Sequence, residues 1–173
     1  MQLITRILIA LVPLAGALVS CSHQIKAKRP VSYHFESGRT ALLQNGIAYA
    51  PPEAPAKVWR ALVAGNRLQN KPYKWGGGHA NHEDTGYDCS GSVSYVLGEA
   101  GLIYEAIPSN GLFNYGHKGE GDWITVYTRK GHAFVTIAGL RLDTGGPGGH
   151  SGPRWKPETR ETSGYVMRHP PGL

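Results

Sequence analysis

Cys89 lies at a position where a thiol is well placed to react. It occurs in the stretch GYDCSGSVSYVL, residues 86–97, immediately before an apolar helical pattern. A cysteine in the first helical turn is close to unpaired backbone N–H groups and to the positive end of the helix macrodipole, and both favour the thiolate. The position therefore predicts a nucleophile, with a buried structural thiol as the alternative.

His132 and Asp143 are the candidate general base and the residue that orients it. His132 begins the strand-like segment HAFVTIA directly after Gly131, so its ring can emerge at an end of a sheet. Asp143 follows one hairpin later and can fix the tautomer of the imidazole. A two-residue turn at 139–140 would place Asp143 opposite Thr136, so direct contact with His132 requires strong strand twist or a β-bulge. The alternatives are a strand-edge histidine bonded to a backbone carbonyl, and an Asx turn at Asp143.

Two helices and an antiparallel sheet must hold these side chains. PPEAPAKVWRALVAGNRL predicts a helix that begins after prolines, and a turn-rich loop leads from it to a second helix, which ends at Gly101. The apolar faces of the two helices comprise Val58, Ala61, Leu62, Gly65 and Leu68, and Val93, Val96, Leu97 and Ala100. DWITVYT, HAFVTIAG, LRLDT and GYVMRH predict strands joined by turns. The sequence therefore predicts an α+β domain with N-terminal helices packed on a small antiparallel β-sheet.

Length and composition indicate one globular domain preceded by a leader. The 173 residues are 40% hydrophobic, which is enough for one core, and the formal net charge is +6. Lysine and arginine are dispersed, and the longest basic stretch is KAKR at 26–29, so no nucleic-acid partner is predicted. A mildly basic surface suits a polyanion such as an anionic cell wall.

Residues 1–21 have the pattern of a lipoprotein signal peptide. The basic MQLITR precedes the apolar run ILIALVPLAGALV, which is too short to span a bilayer comfortably, and LVSC at 18–21 resembles a bacterial lipobox. We expect acylation of Cys21, which would anchor an exported protein at a membrane surface of the cell envelope. Signal cleavage after AGA at 15–17, with secretion, and an uncleaved anchor are the alternatives.

The leader also bears on the state of Cys89. Two cysteines in an exported protein have the opportunity to form a disulfide. Because Cys21 lies at the leader junction, far from any core, Cys89 is predicted to remain a free thiol. Residues 22–50 are predicted to form a tether and residues 51–173 the folded domain.

A cluster of possible metal ligands lies in the loop before Cys89. His79, His82, Glu83 and Asp84 offer a candidate zinc site, but the two histidines are spaced H-x-x-H and lack the H-E-x-x-H pattern of a helical zinc site. A glycine-rich loop also positions ligands poorly. A solvated, turn-rich loop is the favoured interpretation, and no metal or other cofactor is predicted.

The stretch GGPGGHSGPRW, residues 145–155, contains too much glycine for a strand. It does not match a phosphate-binding loop, because no Lys-Ser/Thr pair leads into a helix. One hypothesis is a mobile flap over the cleft whose Trp155 contacts the substrate.

Four segments resemble a known family in their residues and in their order. PYKWGG, YDCSGSVSYVL, EGDWITVY and GHAFVTIAG are similar to the NlpC family of papain-like cell-wall peptidases over roughly residues 55–145. AGLRLDTGG, GPRW and RHPPGL resemble a subgroup of that family found among secreted proteins. The resemblance implies a papain-like fold with a catalytic cysteine at a helix N-terminus.

The resemblance also implies an activity and a set of site residues. The activity would be that of a cysteine endopeptidase that hydrolyses the stem peptides of peptidoglycan, typically beside D-glutamate. Cys89 would be the nucleophile and His132 the base, while Asp143 occupies a third position that is commonly histidine in the family. Tyr73, Asp88 and Ser90 would form the substrate side of the site.

Other functions remain open on the same residues. One is a wall-binding lipoprotein that keeps the fold without turnover. Others are amidase, transpeptidase or acyltransferase chemistry on the same Cys-His pair. Peptidoglycan is the expected partner, with membrane contact through the anchor on Cys21, and the sequence identifies no protein partner.

Overall fold

The computed structural model describes residues 24–145 and 151–173. The predicted leader with Cys21, and residues 146–150 of the glycine-rich stretch, lie outside the described residues. In the part of the chain that is described, no helix is both long enough and apolar enough to cross a membrane.

Two α-helices lie in the first half of the domain. Helix α1 spans Ala56–Arg67 and α2 spans Cys89–Glu99, with a short 3-10 helix at Gly111–Asn114. The predicted apolar face of each helix is buried. In α2 every residue from position 89 to 97 is buried, so this helix is enclosed on all sides between α1 and the sheet.

The described strands form two antiparallel sheets. A two-stranded hairpin pairs β1 with β2, and a six-stranded sheet has the order β3-β8-β4-β5-β6-β7. The strands are β1 Leu42–Gln44, β2 Ile47–Tyr49, β3 His117–Lys118, β4 Ile124–Arg129, β5 His132–Ile137, β6 Leu140–Asp143, β7 Arg154–Lys156 and β8 Val166–His169. The predicted mixed α/β architecture with an antiparallel sheet is confirmed; β1, β2, β3 and β7 were not predicted.

The large sheet is covered on both faces. On one face the alternate residues Ala133, Val135 and Ile137 of β5 join the main core beneath the two helices. On the other face Phe134 belongs to a smaller cluster with Tyr127, Tyr165 and Met167. We call these the helix face and the outer face of the sheet.

An N-terminal arm, residues 24–35, lies over the outer face. Ala27 and Val31 pack against the smaller cluster. Val31 and Arg160 exchange two backbone hydrogen bonds of 2.9 and 2.8 Å, and the Thr162 hydroxyl donates to the carbonyl of Arg29. The predicted boundary between tether and domain at residue 50 stays a prediction, but from residue 26 the chain is already bonded to the sheet.

The β5–β6 turn lies one residue earlier than the sequence indicates. Ile137 pairs with Leu140, so the turn consists of Ala138 and Gly139, both with positive φ (45° and 74°) as in a type I′ hairpin turn. The predicted turn at 139–140 is therefore wrong. Sequence reasoning missed the observed turn because alanine is an unusual residue in the left-handed region. Thr136 faces Arg141, and continuing the register puts Asp143 opposite Phe134.

Helix α1 packs closely on the indole of Trp155, and this contact is testable. A Cβ added at Gly65 would lie 2.3 Å from Trp155 Cζ2. We expect Gly65→Ala to lower the free energy of unfolding by about 1–3 kcal/mol through overpacking. Urea denaturation measures this, with Lys57→Ala on the exposed side of α1 as a control that changes stability by less than about 0.5 kcal/mol. A gain of about 1 kcal/mol, the usual effect of replacing an exposed helical glycine, would contradict the contact.

Candidate active site

Cys89 is the first residue of α2, and Asp88 is the N-cap. The Asp88 carboxylate accepts a hydrogen bond of 2.7 Å from the backbone N–H of Gly91, which fixes the start of the helix. Cys89 is a free cysteine with 9% of its surface exposed. As the first helical residue, it has a backbone N–H with no carbonyl to bond within α2.

The glycines before and after Cys89 allow the preceding loop to lie directly on the helix. A Cβ on Gly91 would lie 1.9 Å from the carbonyl oxygen of Gly77, so this approach requires glycine. The Asp88 N–H bonds to the same carbonyl, and the Asp88 carboxylate also accepts from the N–H of Gly76. The glycine-rich loop is therefore bound to the N-terminus of α2.

His132 lies at the start of β5, between both proposed partners. Its Nε2 is 2.9 Å from Asp143 Oδ1, and the Cys89 thiol is close enough to raise the pKa of its ring. Since Nε2 faces the carboxylate, Nδ1 is the nitrogen left for the thiol. Asp143 is two residues from His132 along the ladder, where the predicted register put it about four residues away, so neither strong twist nor a bulge is required.

The electrostatics of this group favour a charged pair. Burial by itself lowers the pKa of His132, but the hydrogen bond to Asp143, the nearby Cys89 thiol and the charges of both groups raise it from 6.5 to about 9. Burial raises the pKa of Asp143, yet the His132 hydrogen bond and charge, the Gly145 N–H and the Arg141 charge together hold it below its ordinary value. Near neutral pH, His132 is therefore an imidazolium and Asp143 a carboxylate.

The predicted substrate residues lie next to Cys89 in different settings. Tyr73 is half-buried and forms a parallel bridge with Tyr87; burial, and then the charges of Cys89 and Asp88, raise the pKa of its phenol. Asp88 and Ser90 are buried and bond to each other and to His79 Nε2. A substrate-binding role for these residues stays a prediction. The observed contacts of Asp88 bind the loop to the start of the helix.

A cavity of about 350 Å³ lies beside His79. Its wall is formed by residues 78–80, His82 and residues 104–106, and Tyr104 is fully exposed at this place. Because His79 bonds to both neighbours of Cys89, the cavity adjoins the start of α2.

The loop residues considered as zinc ligands bind other protein groups. His79 contacts Asp88, Asp84 pairs with Lys74 at 2.6 Å, and Tyr95 donates to Glu83. His82 lies 2.8 Å from Glu99 Oε1, and His82, Glu83 and Glu99 have ligand atoms within 4.8 Å of one another. Glu99 also pairs with Arg67. His79 and Asp84 are thus separated from the group formed by His82 and Glu83.

The hypothesis that Trp155 contacts substrate is wrong. Trp155 is 6% exposed in the main core, on strand β7, and its Nε1 donates to Asn66 Oδ1 at 2.8 Å. The composition rule failed because the glycines cluster at the start of the segment, whereas Arg154–Lys156 pair with β6.

Arg141 is the residue of this region that the sequence analysis missed. Its guanidinium is buried and donates to Asp143 Oδ2 at 2.6 Å. The available signal was LRLD itself: an arginine and an aspartate two residues apart in a short apolar strand share one face.

Comparison with known proteins gives only distant similarities. No protein-family model and no curated protein matches the chain. Among solved structures, the Resuscitation Promoting Factor Interacting protein RipA, in a mutated form, is 24% identical with a TM-score of 0.47, covering 68% of this chain and 66% of that one. Rv1477, a hypothetical invasion protein of Mycobacterium tuberculosis, is 21% identical with a TM-score of 0.46, covering 68% and 67%. The chain thus spans about two thirds of the length of each.

The raised pKa of His132 predicts a pH-dependent stability. Protonation of His132 stabilises the fold fully below pH 6.5, and this contribution is lost as pH rises towards about 9. Between pH 7 and 9 we expect the free energy of unfolding to fall by about 2 kcal/mol from this group. In His132→Gln this decrease should disappear, whereas His34→Gln, on the exposed arm, should retain it. Urea denaturation at several pH values measures the slopes; equal slopes in all three proteins would contradict the assignment.

Proposed function

We propose that the protein is an NlpC-type, papain-like cysteine peptidase that hydrolyses the stem peptides of peptidoglycan. The observation that carries the proposal is the grouping of the Cys89 thiol, at a helix N-terminus, with the hydrogen-bonded pair of His132 and Asp143, whose imidazole has its pKa raised by the nearby thiol. The order nucleophile, base, orienting carboxylate is the arrangement that activated thiols require.

The first half of the reaction forms an acyl-enzyme. The Cys89 thiolate attacks the carbonyl carbon of the scissile amide, and the carbonyl oxygen becomes an oxyanion. The backbone N–H of Cys89 is one donor that can stabilise this oxyanion. The His132 imidazolium then donates its proton to the leaving amine as the C–N bond breaks, which leaves a thioester on Cys89.

The second half releases the acyl group. His132, now neutral, accepts a proton from water, and the resulting hydroxide attacks the thioester carbonyl. Collapse of the second tetrahedral intermediate breaks the C–S bond and restores the thiolate and the imidazolium. Asp143 remains a carboxylate throughout and holds Nε2, so that Nδ1 exchanges protons with the reacting groups.

The substrate side and the location of the protein are proposed from the sequence. Tyr73, Asp88 and Ser90 are proposed to contact the stem peptide beside D-glutamate, and the cavity next to His79 offers room near the same end of α2. Acylation of Cys21 is proposed to keep the enzyme at a membrane of the cell envelope. The basic net charge of +6 agrees with an anionic wall as substrate.

Digestion of purified sacculi tests the peptidase. Residues 22–173 should release fragments with new stem-peptide ends, identified by mass spectrometry, while Cys89→Ala should release about 10³-fold fewer or none. The masses of the new ends also identify the bond that is cut. Transfer of the acyl group to an added amine would indicate a transpeptidase or acyltransferase, and loss of whole stems from the glycan would indicate an amidase.

A second candidate function is that of a wall-binding protein without turnover. It is favoured by the burial of Cys89, because a thiol with only 9% of its residue surface exposed is poorly accessible to a substrate. A thiol-directed suicide probe separates the two functions. Labelling of Cys89 that decreases in His132→Ala indicates a working pair, whereas equal labelling in both proteins, with sacculi bound but intact, favours the binding protein.

The lipid anchor makes a separate prediction. Cys21→Ala should move the protein from the membrane fraction to the soluble fraction of cells, because the acyl chains supply the membrane affinity. Cys89→Ala is the matched control and should remain in the membrane fraction. Retention of the Cys21→Ala protein in the membrane fraction would contradict acylation at this cysteine.

A further inference from the structure

Arg141 is a charged residue in a position where charge is costly. It lies in β6 with 1% of its surface exposed, and within the described residues its Nε has no hydrogen-bond partner. Taking a guanidinium out of water is strongly unfavourable unless its partners compensate, and an apolar residue of similar size is often as stabilising. Packing alone therefore does not explain why an arginine is buried at position 141.

The partners of Arg141 supply that explanation. Its Nη1 donates to Asp143 Oδ2 at 2.6 Å, and its Nη2 donates to the carbonyl of Glu158 at 3.1 Å. The other oxygen of Asp143, Oδ1, accepts from His132 Nε2 at 2.9 Å and from the N–H of Gly145 at 2.8 Å. Each carboxylate oxygen thus has its own donors, which prevents rotation of the carboxylate.

We propose that Arg141 is a positioning residue: it keeps Asp143 ionised and fixes the carboxylate plane, so that Oδ1 faces His132 and Nδ1 faces Cys89. The proposal rests on the proposed function, in which Asp143 orients the base. Arg141 touches neither the thiol nor the imidazole in the described contacts, so its effect on them passes through Asp143.

Arg160 provides a natural comparison. Its Nε is 3.7 Å from Asp143 Oδ2, beyond hydrogen-bond distance, and its guanidinium bonds to the Tyr165 hydroxyl and lies over the Tyr165 and Phe134 rings. Arg160 therefore adds positive charge near Asp143 without fixing the carboxylate. Other charged and titratable groups also surround Asp143. On the sheet these are His132, Arg141 on the same strand, and Arg154 and Lys156 on β7. Glu158 and Arg160 lie in the loop after β7, and Cys89 on α2 acts through His132.

The test compares Arg141→Met, Arg141→Lys and Arg160→Met in the purified full-length protein. The first measurement is the pH profile of Cys89 alkylation by iodoacetamide, located by peptide mass spectrometry, which needs no wall substrate. The second is the titration of the Asp143 carboxyl carbon by ¹³C NMR. If Arg141→Met does not fold, Arg141→Gln, which keeps a donor but not the charge, takes its place.

Removal of the Arg141 charge should make Asp143 easier to protonate. In Arg141→Met we expect the Asp143 titration and the acid limb of alkylation to move up together by about one pH unit. On the steep part of the profile this corresponds to about tenfold slower alkylation. Arg141→Lys should restore most of the profile, and Arg160→Met should move it less than Arg141→Met does.

The outcomes separate this proposal from the proposed function. A uniform loss of alkylation at all pH values, with the acid limb unmoved, would mean that Arg141 is only structural and would overturn the proposal. An unmoved Asp143 titration would overturn it as well. If both curves move but sacculi stay intact with the parent protein, the positioning role of Arg141 stands and the peptidase assignment fails.

Discussion

The hydrogen bond between His132 and Asp143 fixes the sheet side of the proposed site, and it depends on charge held away from water. Asp143 has no exposed side-chain surface, and a carboxylate there is sustained only by cations and N–H groups directed at it. His132 supplies one charge and Arg141 another. The imidazolium and the carboxylate stabilise each other. The same hydrogen bond therefore both orients the His132 ring towards Cys89 and keeps the ring protonated.

The register of the β5–β6 hairpin makes that bond possible. With the type I′ turn at 138–139, Asp143 lies on the same sheet face as His132 and two residues away along the ladder. A two-residue turn shifted by one residue, at 139–140, would keep Asp143 on the same face but put it opposite Thr136, about four residues from His132 along the ladder and out of its reach. The left-handed backbone of Ala138 and Gly139 is thus part of the geometry of the site.

On the other side, Asp88 and the glycines place the thiol. The carboxylate of Asp88 accepts backbone N–H groups from the helix and from the loop, while Gly77 and Gly91 allow the loop to contact the helix without side chains between them. Since α2 is buried along its length from 89 to 97, Cys89 is held by a rigid element. The N-terminal arm supports the outer face through hydrogen bonds to Arg160 and Thr162. These residues lie in the same loop as Glu158, whose carbonyl accepts a hydrogen bond from the Arg141 guanidinium.

The sequence by itself determined the helices, the four long or strongly apolar strands, and the identity of Cys89, His132 and Asp143 as a candidate group. These follow from local periodicity and residue type, which act over a few neighbours. Tertiary structure alone decided the hairpin register, the burial of Trp155 against Gly65, the packing of the arm, and the pairing of Arg141 with Asp143. Such features depend on contacts between distant segments and on small differences in turn geometry, which a local pattern does not specify. LRLD indicates that Arg141 and Asp143 share one face of a strand, but only the folded sheet shows that both are buried and paired.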